Sequence, residues 1–196
     1  MKKQRKTIAI ILCAAMAVAS GVIMTGCMNS AKSVADKTLK EVQQQKGDMM
    51  SQMDITKSFT GVDFTDDQKA VLQKFIKKLC DFDYDLGKVK TDKNTASVDV
   101  TFHTYDFKTM YQDMMQSAQK DAVKMASDGK VTADNVTSEM YKLVIGYIDK
   151  GLGTLKDKNK TTKTTMKLTK KDGKWTVGPQ SSDFYSAMMG GLTDLS

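Results

Sequence analysis

Four runs in this chain alternate apolar with polar residues, the period of half-buried β-strands rather than of helices. Phe82, Tyr84 and Leu86 alternate with Asp81, Asp83 and Asp85. Gly87 breaks the phase and Val89 resumes it, as a bulge does. Beyond the turn Asp92-Lys93-Asn94, Ala96, Val98, Val100 and Phe102 alternate with Ser97, Asp99, Thr101 and His103. Thr162, Thr164, Met166 and Leu168 lead through Lys171-Asp172-Gly173-Lys174 to Trp175 and Val177. Asp-Gly between alternating strands marks a tight hairpin turn. The pattern predicts two antiparallel hairpins, each with one wet face.

Around these runs the period becomes helical. Ala35, Leu39 and Val42 recur at helical spacing over residues 34–46, and Gly47 and Asp48 suit a helix stop and a new start before Met49, Met50 and Met53. The small, polar stretch Asn29 to Ala35 reads as a tether. Thr65-Asp66-Asp67-Gln68 has the form of a capping box, and Val71, Leu72, Phe75, Ile76 and Leu79 follow on one face. Asp106 to Ser127 carries the strip Phe107, Met110, Met114, Ala118, Ala122 and Met125 and stops at Asp128-Gly129. Thr132 or Asp134 can cap the next helix, which presents Val136, Met140, Leu143, Val144, Tyr147 and Ile148 and ends at Gly151-Leu152-Gly153. Phe184, Tyr185, Met188, Met189 and Leu192 fit a short terminal helix over an edge of the core. The expected fold class is α+β: a curved antiparallel sheet built from two hairpins, packed against helices, with a helical pair inserted between the hairpins.

The first residues read as an address. Lys2, Lys3, Arg5 and Lys6 precede an apolar run from Ile8 to Ala19, too short for a spanning helix of about twenty residues. Val22-Ile23-Met24-Thr25-Gly26-Cys27 resembles a bacterial lipobox, with Met24 where Leu is usual. That resemblance implies a diacylglyceryl group on the Cys27 thiol and cleavage between Gly26 and Cys27, leaving Cys27 as the N-terminus. Two acyl chains hold a protein stably where one does not. The expected location is the cell membrane, lipid-anchored on its extracytoplasmic face. The competing reading extends the apolar run to Met24 and makes it an uncut transmembrane anchor. On the first reading residues 1–26 are a signal peptide, 27–32 a lipidated terminus and tether, and 33–196 a single domain.

Removing 26 residues with four basic and no acidic side chains takes the formal charge from +7 to +3. A mixed-charge surface remains, with no case for nucleic-acid binding. Of the three cysteines, Cys13 leaves and Cys27 is modified, so an internal disulfide is not expected and an apolar core must hold the fold. Cys80 follows Leu79 on an apolar helix face and reads as a buried, inert thiol.

The break Lys46-Gly47-Asp48, the strand pair after the capped helix and the ending Lys171-Asp172-Gly173-Lys174-Trp175-Thr176-Val177 stand in one order. Together they resemble exported lipoproteins of Gram-positive bacteria with a nuclear-transport-factor-2-like (cystatin-like) domain of unknown function. The resemblance implies a cone-like sheet wrapped around helices, sometimes with a pocket, and no particular chemistry.

Candidate chemistry is sparse. Asp81, Asp83, Asp85 and Asp92 are spaced somewhat like a calcium loop, but Leu86 takes the position that needs Gly, and Asp92 the one that needs a bidentate Glu. Strand alternation explains the three aspartates equally well. His103, the one histidine, lies on the side opposite Phe102, beside Thr101 and Asp99, and reads as a surface imidazole or as a general base in a pocket. An isomerase of this fold needs an acid or base facing into the cone, and Tyr84, Asp99 and His103 stand unranked for it. Twelve methionines remain after cleavage, including Met49, Met50 and Met53, Met110, Met114 and Met115, and Met188 and Met189. Clustered thioethers suit Cu(I), a groove for an apolar ligand, or plain core packing. No cofactor motif is present. The expectation is a membrane-anchored module that binds a small apolar ligand or a protein. A small-molecule isomerase and a Met-based copper handler are the alternatives.

Overall fold

The computed structural model describes residues 30–46, 64–130, 132 and 135–193. Gly26 and Cys27, the Gly47-Asp48 break and Met49, Met50 and Met53 lie outside the described residues. The described elements are α1 (Ala31–Gln43), α2 (Asp66–Leu79), β1 (Asp83–Asp92), β2 (Thr95–Thr104), α3 (Phe107–Ser127), α4 (Val136–Leu152), β3 (Lys160–Lys171), β4 (Lys174–Val177) and α5 (Ser182–Met188). The class is α+β, with an open antiparallel sheet in the order β1-β2-β3-β4.

The hairpins form where alternation and turn chemistry place them. Asp172 and Gly173 both have positive φ, the conformation of a primed two-residue turn. In β1 the register slips between Leu86 and Val89, so Gly87 and Lys88 together face Asp99. A Cβ on Gly87 would stand 3.1 Å from that of Asp99, which is why a residue without one suits the bulge. The hairpins join through β2 and β3, paired from Thr95↔Thr169 to Thr104↔Lys160. The inserted pair α3–α4 therefore returns the chain to the strand it left.

One face of the sheet is apolar and covered. Val98, Val100, Phe102, Met166 and Leu168 are buried there, with Phe82, Trp175 and Val177 at its margins. Phe102 stacks edge-on against Phe82 at 5.3 Å and Phe184 at 5.5 Å, so one ring ties the entry to β1, β2 and α5 together. α1 packs across all four strands with Val34, Ala35, Leu39 and Val42. α5 lies on β2 and β3, over the core rather than at its edge. α4 packs on both α2 and α3, and Phe75 of α2 meets Phe107 of α3. The opposite face carries Asp99, Thr101, His103, Thr161, Lys163 and Lys167.

Two boundaries differ from the sequence reading. α1 starts at Ala31, within the stretch read as a tether, because Ser30 caps it and Ala31 is itself buried. Asn135 rather than Thr132 or Asp134 stands at the N-cap of α4, and its side chain accepts from the Thr132 amide at 2.7 Å instead of capping the helix.

Candidate functional site

The chemistry-bearing side chains gather at the end of the sheet away from the hairpin turns, where β1 starts, β2 ends and β3 begins. The Lys158 ammonium stands 2.8 Å from Asp81 and 3.1 Å from Asp83. The Tyr105 hydroxyl donates to the other oxygen of Asp81 at 2.7 Å, and the Lys78 ammonium sits 3.7 Å above the Tyr105 ring. Burial alone would raise the Asp81 pKa, but Lys158 and Tyr105 outweigh it and hold the carboxyl below its ordinary range. Lys158 itself is lowered by burial and raised by the two carboxylates, which win. A cation between Asp81 and Asp83 would occupy the place Lys158 takes, and no cluster of three or more metal-ligating His, Cys, Asp or Glu occurs among the described residues. The facing cation relieves the repulsion that strand alternation builds into the three aspartates.

His103 bridges three strands. Its Nε2 lies 3.2 Å from Asp85 on β1, and its Nδ1 lies 3.0 Å from the Thr161 hydroxyl on β3. A hydroxyl, an imidazole and a carboxylate in a row have the parts of a nucleophilic relay. Here the row lies along an open sheet face, with the Asp85 side chain 80% exposed. Solvent screens its charges there, so the row braces β1, β2 and β3. Tyr84 is on the other face, where its hydroxyl donates to Asp36 of α1 at 2.8 Å; burial, then Asp36, pushes its pKa up. The three isomerase candidates are thus divided: Tyr84 under the helices, Asp99 and His103 on the open face.

The next strand end repeats the ion pairing. Asp106 caps α3 through the Thr109 amide and pairs with Lys160 at 3.2 Å. Burial would raise Asp106, but Thr109 and then Lys160 hold it low. Lys78, Tyr105, Lys158 and Lys160 escaped the sequence reading, because their partners lie up to 77 residues away along the chain in Lys158–Asp81 and no local spacing signals such a pair.

Methionines fill space. Met110, Met114, Met166, Met188 and Met189 are buried among apolar side chains. Met110 and Met114 also floor a shallow cleft of about 150 Å³ between α3 and α4, rimmed by Asp113, Ser117, Tyr147 and Lys150. A Cβ on Gly151 would press on Met110 at 2.9 Å, so the helices approach closely because that residue is glycine. The Tyr147 hydroxyl donates to Asp121 at 2.6 Å, and that bond raises its pKa. Cys80 is buried, and burial pushes its thiol up to about 11.

No protein-family model matches the chain, and no curated protein matches it. Among solved structures, it is similar to a chain described as a "putative lipoprotein (ycdA)" from Bacillus subtilis, with a TM-score of 0.41 and 10% identity. The alignment covers 81% of this chain and 47% of that one, about half of its length.

Proposed function

We propose that the protein is a lipid-anchored, extracytoplasmic interaction domain, held at the cell membrane by a diacylglyceryl group on Cys27 after cleavage at Gly26–Cys27. One observation carries this: a basic start, a short apolar run and Val22-Ile23-Met24-Thr25-Gly26-Cys27 follow in the order export and lipidation require. Among the described residues, no helix is long and apolar enough to cross a membrane. The interaction reading draws support from the core, where Phe102, Phe82, Phe184 and Met166 fill the space beneath the sheet, and from the uncovered polar sheet face. A helix laid across a helix-backed antiparallel sheet is in keeping with a nuclear-transport-factor-2-like domain.

Feeding radiolabelled palmitate to an expressing bacterium tests the anchor. The full-length protein is expected to take up label, and Cys27→Ser to take up none. Label retained in Cys27→Ser, or absent from the unaltered protein, overturns the reading.

A further inference from the structure

The two hairpin turns lie side by side: the Lys170 amide donates to the Asn94 carbonyl at 2.7 Å, and Thr95 pairs with Thr169. α1 runs along β1 away from them. Gln43 donates to the Phe82 carbonyl at 2.6 Å, Tyr84 donates to Asp36, and Lys32 reaches the Gly87 carbonyl at 3.4 Å. Going back from Gln43 to Lys32 therefore means going up β1 from its start to Gly87 at its middle, and α1 also packs on β4, so the chain enters α1 on the hairpin-turn side of the sheet.

The hairpin-turn end is cationic. Lys88, Lys90, Lys93, Lys170, Lys171 and Lys174 stand there against Asp92, Asp99 and Asp172. None of the six is ion-paired among the described residues, whereas the acids of the far end are matched by Lys158, Lys160 and His103. Cys27 precedes Ser30 by three residues. Three residues span at most about 11 Å by any path, close to the screening length of about 8 Å at physiological salt. An acyl group on Cys27 thus brings this end within electrostatic reach of the bilayer.

We infer that the hairpin-turn end is a membrane-facing surface whose lysines engage anionic phospholipid headgroups, of which phosphatidylglycerol is the type. The inference rests on the lipid-anchor reading. It adds an orientation: the acid-rich strand ends and the α3–α4 cleft point away from the bilayer.

The test uses the full-length lipidated protein in vesicles of phosphatidylcholine, with or without phosphatidylglycerol. Lysine acetylation rates are read residue by residue by mass spectrometry. On anionic vesicles Lys171 and Lys174 are expected to react about fivefold more slowly, recovering at high salt, while Lys120 on α3 is unchanged. A variant with both Lys171→Glu and Lys174→Glu, its fold checked by circular dichroism, is expected to lose the slowing at Lys88 and Lys90. Slowing that persists in that variant overturns the inference, because headgroup charge then does not cause it. The Cys27 peptide from the same digest separates the two readings. An unmodified Cys27 overturns the anchor and this inference together. Equal rates on both vesicles above an acylated Cys27 overturn this inference alone.

Discussion

Thr38 carries a buried hydroxyl: its Oγ1 has no hydrogen-bond partner among the described residues and lies on the covered stripe of α1 between Val34 and Leu39. An unpaired buried polar group costs free energy, and valine keeps the shape without it. Thr38→Val is expected to raise stability by about 1 kcal/mol, read as a higher urea midpoint at unchanged slope. Ionised side chains predict the pH response. The Lys40 hydrogen bond holds Asp36 low against the opposing effect of burial, with help from Tyr84, while Asp81 and Asp106 are low for the reasons given above. Each such carboxyl adds stability above its ordinary value of 3.8 and loses it as pH falls through its lower folded value. Lys158 has the opposite sense: its contribution is complete below 10.5 and fades as pH rises through its higher folded value. Urea midpoints are expected to form a plateau with an acid limb starting below 3.8 and an alkaline limb that opens above 9.0, where the buried Cys80 thiol resists ionisation, and deepens above 10.5 as Lys158 loses its proton. Asp81→Asn is expected to shorten both limbs, because it removes the acid and one partner of Lys158. Limbs unchanged in that variant would count against the pairing.

Turns and chain reversals join the elements, and two glycines show how differently they do so. Gly173 has φ +78 in the β3–β4 turn, and a Cβ there would meet nothing within 4 Å. Gly190 has φ +57 after α5, and a Cβ there would collide with the Tyr105 carbonyl oxygen where the tail crosses the start of α3. The Lys108 amide donates to the Gly190 carbonyl at 3.2 Å across the same crossing. Gly173→Ala is expected to cost about 1 kcal/mol, the left-handed backbone strain alone. Gly190→Ala adds a backbone collision and is expected to cost at least twice that, as denaturant midpoints would show. Similar losses at the two sites would contradict the crossing. Gly173 was legible in the sequence because Asp-Gly between alternating runs is a local signal. So were the capping box, in which Thr65 accepts from the Gln68 amide and Gln68 accepts from the Thr65 amide, and the Gly87 bulge. The role of Gly190 was not legible, because the atom it must clear belongs to a residue 85 positions earlier. The start of α1 was hidden for a different reason: Ala31 and the polar residues around it look like a linker until the sheet is present to bury them.

At the scale of the whole molecule the same division holds. Alternation identified the wet face of the sheet, but the partners Asp85, His103 and Thr161 come together only once three strands are in register. Strand order likewise needed the long β2–β3 ladder, which no spacing within a hairpin encodes. The buried methionines were legible as packing at Met110 and Met114, which share a helical stripe with Phe107 and Ala118. The resulting body is lopsided in charge, with paired acids at one end and lysines at the other, on the side where the chain enters α1. That arrangement acquires meaning through its attachment, so the attachment is the claim to test. Intact mass spectrometry of the detergent-extracted protein does this directly. The account predicts a chain that starts at Cys27 and carries the added mass of a diacylglyceryl group. A chain running from Met1 with an unmodified Cys27, retained in the membrane all the same, would contradict it.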